Sequence, residues 1–564
     1  MRTLANKSLP AWLFLLCLLV FGRGLTGDYV MDDWPVIKEN SRITDSQYIP
    51  DYFTAGVWAN TDLAGESGLN DHSLYRPLFL LTLNIGHRLW GDNAFAYHAL
   101  NLVLHGINTI LVYLLISGFW TSASRMTAGM ASAIFAVHPV HVESVSWIAG
   151  LTDPLVSLFL LGGFLLHRRS RQGAAPLAAI GAPLCYALAL LSKETALLLP
   201  LLLISYDALF HRSALKTPAA LLRYLPYVLL LALYLVLRSN ALDGGESGLW
   251  SRMDFHNWPL LLEFFAHYIQ LLFLPWPLEY YYSSPRVGSL ALLTGGLLIG
   301  GGLFYLQRAM RHGHRLYLLA VAWIILFLLP ALPIALFAEP VFATRVLYLP
   351  SVGVALLIAW LIHHTQGLAN ASPAERSAPR ISAASVKAIT PIMLLSFSML
   401  SLVETDDWQN DIAFYTQAMK TSPESFKPVA GLAAAQSREN NTDYAIDLYL
   451  RAMQLAPELS DQLDFQENAA LLYGQSGNAN KSEELYREIL RRDPRRSSAW
   501  VGLGNNALAR NNTQQALEFY QRAYQTDPNN FVASYNLMLL YQRLGKLQEA
   551  ARFRSISQRL QATQ

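Results

Sequence analysis

A chain of 564 residues that is 53% hydrophobic and only 15% charged, with a mean hydropathy of +0.26, is too long for one ordinary domain and too apolar for a soluble enzyme. Its net charge of +2 is too mild to argue for nucleic acid. Cys17 and Cys185, its two cysteines, both lie in apolar runs and argue against a disulfide framework, CxxC zinc sites and cysteine catalysis. The charge is unevenly spread: residues 404–564 carry 36 of the 82 charged side chains, twice the density of the rest. That pattern predicts an all-α protein in two parts, a polytopic membrane domain over 1–403 followed by a soluble domain over 404–564.

A bilayer core needs about 20 apolar residues as helix. Runs near 9–26, 99–118, 127–145, 154–167, 176–191, 195–210, 221–238, 288–306, 316–337, 347–364 and 386–403 predict about eleven transmembrane helices. Several are short, as suits helices that end inside the protein rather than in lipid. The first run lacks a convincing cleavage site and reads as an uncleaved anchor. With Arg2 and Lys7 inside, the positive clusters at Arg125, Arg168-Arg169-Arg171, Arg212/Lys216, Arg308/Arg311/Arg315 and Arg376/Arg380/Lys387 all stay inside only if the ambiguous run 258–274 lies flat or re-enters. It is therefore read as interfacial, with Trp258, Trp276 and Tyr280-Tyr281-Tyr282 as a belt. This threading places a large loop, 27–98, outside, together with short loops at 138–153, 192–194, 239–257 and 338–347 and the C-terminal domain.

In the soluble part, proline recurs at Pro423, Pro457, Pro494 and Pro528, and the best unit runs Trp500, Leu503-Gly504, Ala507, Ala516, Tyr520, Ala523, Pro528. The spacing resembles that of tetratricopeptide repeats, an α-solenoid whose concave face usually meets a peptide. The longer second interval implies a three-residue insertion before Gln466. A half unit opens the array at Ile412–Pro423, and residues 535–560 supply a final partial unit. The alternative is a purely structural cap or a dimerisation surface.

Polar residues at or near membrane depth are costly, and four predicted outer loops contain them. The first opens with Asp32-Asp33-Trp34. The second reads His138-Pro139-Val140-His141-Val142-Glu143 and ends at Asp153. The third is Ser192-Lys193-Glu194, and the last holds Glu339-Pro340, then Arg345-Val346-Leu347-Tyr348. Acids, imidazoles and cations on one face suit a site that handles a charged group attached to a lipid. Each has a blander reading: a solvated turn for the aspartates (Asp406-Asp407-Trp408 repeats the tripeptide), a structural pair for His138 and His141, mutual neutralisation for Lys193 and Glu194, an interfacial anchor for Arg345. There is no P-loop, dinucleotide fingerprint or nucleophile elbow.

In order, Asp32-Asp33-Trp34, Tyr75-Arg76-Pro77-Leu78, Tyr97-His98-Ala99-Leu100-Asn101 with His105, His138 to Glu143, Leu191 to Glu194, Arg345 to Gly353 and the repeats together resemble the transmembrane and tetratricopeptide repeat-containing O-mannosyltransferases and their prokaryotic relatives. These belong to the GT-C superfamily of polyprenyl-phosphate-sugar-dependent glycosyltransferases. The resemblance implies a hexose, mannose or similar, moved with inversion from a polyprenyl-phosphate donor to a protein Ser/Thr hydroxyl at the outer membrane face. It implies an acidic pair opening the first loop, matched by Asp32 and Asp33.

On this reading an Asp32/Asp33 carboxylate is the base, and Arg345 with Lys193 holds the donor phosphate. Arg76, His138, His141, Glu143, Asp153, Glu194, Glu339 and Tyr348 support the substrates. No cofactor is required, although Asp33, His138 and Glu143 offer ligands for a divalent cation such as Mg or Mn. The partners are the lipid-linked sugar, the bilayer and an acceptor polypeptide on the repeats. The rivals are a membrane-anchored repeat scaffold and a lipid-linked sugar transporter or flippase. The compact loops and the lack of an ER-retention signal lead one to expect a bacterial inner membrane, with site and repeats facing the periplasm.

Overall fold

The computed structural model describes residues 2–59, 74–120, 125–173, 176–217, 221–242, 255–278, 288–336, 342–369 and 383–563. Among these, all regular structure is helical. Two compact units divide the chain, Met1–Phe414 and Tyr415–Gln564.

Among the described residues the longer helices of the first unit are α1 (Arg2–Phe21), α2 (Pro77–Trp90), α3 (Ala94–Ser117), α4 (Arg125–Ala136), α5 (Thr152–Arg171), α6 (Pro176–Leu190), α7 (Leu199–Phe210), α8 (Leu225–Ala241), α9 (Trp258–Phe273), α10 (Ser289–His312), α11 (Arg315–Leu328), α12 (Tyr348–Ala369) and α13 (Ala383–Thr405). Among the described residues eight stretches are helical, long and apolar enough to cross a membrane: Ser8–Thr26, Ala94–Ser117, Ala149–Arg171, Leu222–Ala241, Ser289–His312, Arg315–Pro333, Thr344–Gln366 and Ala388–Trp408. Three of the eleven apolar runs instead form the shorter α4, α6 and α7. Helix α4 stops at Ala136 because Pro139, two residues after Val137, cannot continue it, and residues 137–151 run on as short turns.

The outward faces are those of a multi-pass membrane protein. Leu293, Leu297, Leu303 and Phe304 on α10, and Ile392, Leu395 and Met399 on α13, are all exposed, an apolar surface that water would not support. Helix α5 carries Asp153 in its first turn and Arg168, Arg169 and Arg171 in its last, each sign at the end its dipole favours. Helix α9, with 16 residues, is at ~1.5 Å per residue too short for a core ~30 Å thick. Its first turn leaves Trp258 exposed while Phe264 to Leu272 are largely buried. It packs so closely on α10 that a Cβ at Gly295 would lie 2.1 Å from the Ala266 carbonyl oxygen. Trp276 is also exposed; Tyr280, Tyr281 and Tyr282 lie outside the described residues.

The segment between α1 and α3 has a core of its own. Tyr29, Val36, Ile43, Tyr52, Phe79, Leu83 and Tyr97 pack together with Ile148 and Leu151. Arg42 is fully buried and its guanidinium donates to the carbonyls of Gly56 (2.8 Å), Asp51 (3.0 Å) and Ala59 (3.1 Å), satisfying a loop that forms no ladder of its own.

The second unit takes up most of α14 (Asp411–Thr421) and four helix pairs: Phe426–Arg438 with Thr442–Leu455, Leu459–Gln475 with Ala479–Arg492, Ser497–Ala509 with Thr513–Thr526, and Phe531–Arg543 with Leu547–Thr563. A left-handed residue ends the first helix's turn in each pair, Asn440, Gly477, Asn511 and Gly545, in step with the prolines. The three-residue insertion is absorbed as an extra turn, Leu459–Gln475 having 17 residues where its counterparts have 13. The last unit, expected to be partial, is a complete pair. Glycine is required where helices meet: a Cβ at Gly502 would lie 2.2 Å from the Tyr486 ring, and one at Gly504 2.4 Å from that of Tyr520.

Candidate functional site

The four polar loops, distant in sequence, meet at one end of the first unit. The opening turn of the first loop is built around Asp33. Its Oδ2 accepts from the Val30 amide at 2.9 Å and its Oδ1 from the Ala149 amide at 2.7 Å. Fully buried, the carboxyl is pushed well above its usual range by desolvation, despite those two amides. Asp33 thus ties the first loop to the second. Asp32 beside it is half-buried and lies within electrostatic range of Arg345. The Trp147 indole donates to the Val30 carbonyl at 3.0 Å, and the Arg345 guanidinium sits 5.2 Å from the Trp147 ring centroid.

Arg345 also pairs with Glu143 Oε1. The other oxygen of Glu143 accepts from the Arg345 amide and the Thr344 hydroxyl, both at 2.8 Å. Buried Glu143 therefore fixes the chain entering α12, and the Arg345 side chain remains 33% exposed.

Lys193 of the third loop is buried and spans both oxygens of Asp153, at 2.6 and 2.7 Å. Burial lowers its pKa although Asp153 opposes the shift. Glu194 accepts from Arg76 at 2.9 Å and from Arg238, at the end of α8, at 3.4 Å. Burial alone would raise Glu194; Arg76, followed by hydrogen bonds and Arg238, holds it below the usual carboxylate range. The Leu78 amide donates to the Leu191 carbonyl at 2.9 Å and fastens the start of α2 to the same loop. Four cations, Arg76, Lys193, Arg238 and Arg345, are thus interleaved with three carboxylates, Glu143, Asp153 and Glu194.

The histidines lie deeper. His138 Nε2 faces the Leu272 carbonyl at 3.0 Å, while its Nδ1 accepts from the Val140 amide at 3.4 Å. Both contacts call for a neutral ring, and burial lowers its pKa to about 4. His141 pairs with the Ser351 hydroxyl at 2.9 Å, and burial lowers its pKa further still. Tyr348 is held by His105 at 2.8 Å and Asn108 at 3.2 Å, and its ring lies 4.6 Å from that of His141. These side chains brace α3, α12 and the second loop from beneath.

Asp33, His138 and Glu143, the candidate cation ligands, are each committed to different partners. Among the described residues no three His, Cys, Asp or Glu side chains group as metal ligands. Glu339 lies outside the described residues. Arg238 and Trp147 were not anticipated from the sequence. Arg238 closes an apolar run, where a lone arginine reads as an anchor, and only its place on the expected outer side could have flagged it.

Comparison with known proteins follows the same division. A family model described as Tetratricopeptide repeat matches residues 468–531. Protein O-mannosyl-transferase F38B6.6 of Caenorhabditis elegans is 25% identical over 77% of this chain and 60% of that protein. Protein O-mannosyl-transferase TMTC3 of Homo sapiens is 22% identical over 93% of this chain and 64% of that protein. A shorter stretch, 27% of this chain, is 34% identical to 17% of human protein O-mannosyl-transferase TMTC1. The chain spans less than two thirds of the length of these relatives. The motif-based resemblance to the transmembrane and tetratricopeptide repeat-containing O-mannosyltransferases holds.

Proposed function

We propose that this chain is a membrane glycosyltransferase of GT-C type. It moves a hexose such as mannose from a polyprenyl-phosphate donor to a Ser or Thr hydroxyl of a polypeptide, at the face carrying the four polar loops, taken here as the periplasmic side of a bacterial inner membrane. The observation that carries the reading is the convergent network, in which a partly exposed arginine, Arg345, stands within electrostatic range of a partly exposed aspartate, Asp32. A partly exposed guanidinium at the end of a helical membrane unit suits a lipid phosphate, which leaves only if its negative charge is stabilised.

The geometry divides the roles. Arg345 has the most exposed side chain of the four cations and can meet phosphate oxygens with its free guanidinium nitrogens. Lys193, closed on Asp153, supplies field rather than a direct contact. Asp32 takes the proton of the attacking hydroxyl. The oxygen then displaces the polyprenyl phosphate from the opposite side of the anomeric carbon, inverting it. Asp33, with both oxygens on backbone amides, positions Asp32.

Membranes carrying the full chain, given a labelled polyprenyl-phosphate hexose and a Ser/Thr-rich polypeptide, provide the test. Asp32→Asn should lower transfer by roughly 10²–10⁴; full activity in that variant would overturn the assignment of the base. The repeats are read as delivering the acceptor. Deleting 424–564 should then impair transfer to polypeptide more than hydrolysis of the donor, and equal loss of both would end the delivery role.

A further inference from the structure

The second Asp-Asp-Trp, Asp406-Asp407-Trp408, has no role in the reaction above, yet it begins a segment that docks on the root of the first loop. Arg23 pairs with Asp406 at 2.7 Å. Gln409 uses its whole amide group: its Nε2 donates to the Arg23 carbonyl at 3.1 Å and its Oε1 accepts from the Thr26 hydroxyl at 3.3 Å. Its main-chain carbonyl accepts from the Asp28 amide at 2.8 Å. Trp408 is buried, its ring 5.9 Å from that of Trp147. Two residues beyond Gln409, Asp411 Oδ1 accepts from the Met31 amide at 2.7 Å.

That last bond falls on an unusual residue. Met31 has φ +53°, a left-handed conformation that side chains other than Gly, Asn and Asp seldom adopt and that persists only where the surroundings impose it. The turn it makes sends the chain straight into Asp32 and Asp33. Each backbone group around it has a partner: the Val30 amide bonds Asp33, the Val30 carbonyl takes the Trp147 indole, and the Met31 amide bonds Asp411. Two of these partners come from the loop or its neighbour in the site. The third arrives from 380 residues away.

We infer that Asp411 is a positioning residue for the acidic turn: by accepting from the Met31 amide it holds the left-handed backbone that aims Asp32 at the acceptor hydroxyl. This rests on the transfer reading above, and it extends the working parts of the site past the last membrane helix to the first residue of α14.

The full chain in lipid nanodiscs tests it, with polypeptide transfer and hydrogen exchange both measured. Asp411→Ala should lower kcat about tenfold, as ~1.4 kcal/mol of lost positioning would, with donor KM within about twofold of wild type. Asp411→Asn keeps an acceptor oxygen and should retain most of kcat. Adding Met31→Gly to Asp411→Ala should recover part of the loss, because glycine adopts positive φ without a steric penalty; a mere folding defect would not respond to that change. Hydrogen exchange over 28–34 should speed up in Asp411→Ala and not in Asp411→Asn, whatever reaction the protein performs. Faster exchange with no transfer even in the wild type would fault the transferase reading and uphold the positioning contact. Unchanged exchange and unchanged kcat in Asp411→Ala overturn the proposal, as does an Asp411→Asn variant that falls as far as the alanine.

Discussion

The two units differ in how deeply their most enclosed ion pairs are buried. In the first, some pairs are sealed from water, Lys193 on Asp153 and, at the opposite end of α5, Arg171 on Asp207, which also accepts from Tyr224 and meets His167, while Arg76 and Arg238 on Glu194 are partly exposed. In the second the pairs stand in contact with water, as where Glu483 meets Arg487 and Arg510, or Asp464 and Glu467 meet Arg496, each partner being at least 21% exposed. The same pairing has different consequences in the two settings. Removing one partner of a buried pair strands an uncompensated charge; removing one at the surface mostly hands its partner to water. Buried pairs that strand a charge when broken are suited to holding a site, while exposed pairs leave their helix surface hydrated.

The largest break in that contrast should come at Lys193, whose side chain and that of Asp153 are nearly inaccessible. Lys193→Met leaves Asp153 unpaired and should cost roughly 3–5 kcal/mol of stability, read as denaturant-induced unfolding in detergent. Lys193→Met with Asp153→Leu removes both charges and should recover most of that loss, since apolar groups of similar volume often replace a buried pair at little cost. On the proposed reading, transfer should stay low in the rescued double variant, because the Lys193 charge proposed to act on the donor phosphate has gone. If the double variant recovered transfer as fully as stability, Lys193 would be a structural residue only.

This contrast also explains what could be read in the sequence and what could not. The repeats were legible because a solenoid is a local structure. Proline, small residues and aromatic rings recur in register, and the left-handed turns at Asn440, Gly477, Asn511 and Gly545 follow the same count. In the first unit the apolar runs located the helices, but apolarity does not separate a span from an inner helix, hence α4, α6 and α7. The loops that would converge were legible from charge and sidedness. Which of their side chains stay available was not, since that depends on partners far along the chain. Asp33 looked as good a base as Asp32 until the Ala149 amide, 116 residues on, occupied its second oxygen. Arg238 and Asp411 carried no local pattern at all. His138 and His141 face the Leu272 carbonyl and the Ser351 hydroxyl, partners that no local pattern around Pro139 announces.

Acid provides a finer probe of the buried side. His138 is neutral in the fold, with its pKa lowered to about 4 by burial, whereas an unfolded histidine takes up a proton near 6.5. Its contribution is therefore intact above about pH 6.5 and is lost progressively as pH falls toward 4, at up to ~1 kcal/mol per unit. The midpoint of thermal unfolding should drop across that window, and His138→Gln, which can still donate to the Leu272 carbonyl, should flatten the slope. A wild-type midpoint independent of pH between 6.5 and 4 would mean the ring is hydrated rather than enclosed.

The smallest effect is expected at the surface. Glu483 joins helix Ala479–Arg492 to Arg510, just past the next helix, and pairs with Arg487 one turn away on its own. Because the arginine ends stand in water, Glu483→Gln should change the protection of amides across 479–510 by less than ~1 kcal/mol. Even that should shrink in molar salt, where the Debye length falls to about 3 Å. The neighbouring helices lose no packing, since Tyr486 remains seated against Gly502. A loss as large as that at Lys193, unmoved by salt, would show that the solenoid encloses this carboxylate and that the division between the two units, drawn from their charges, is wrong.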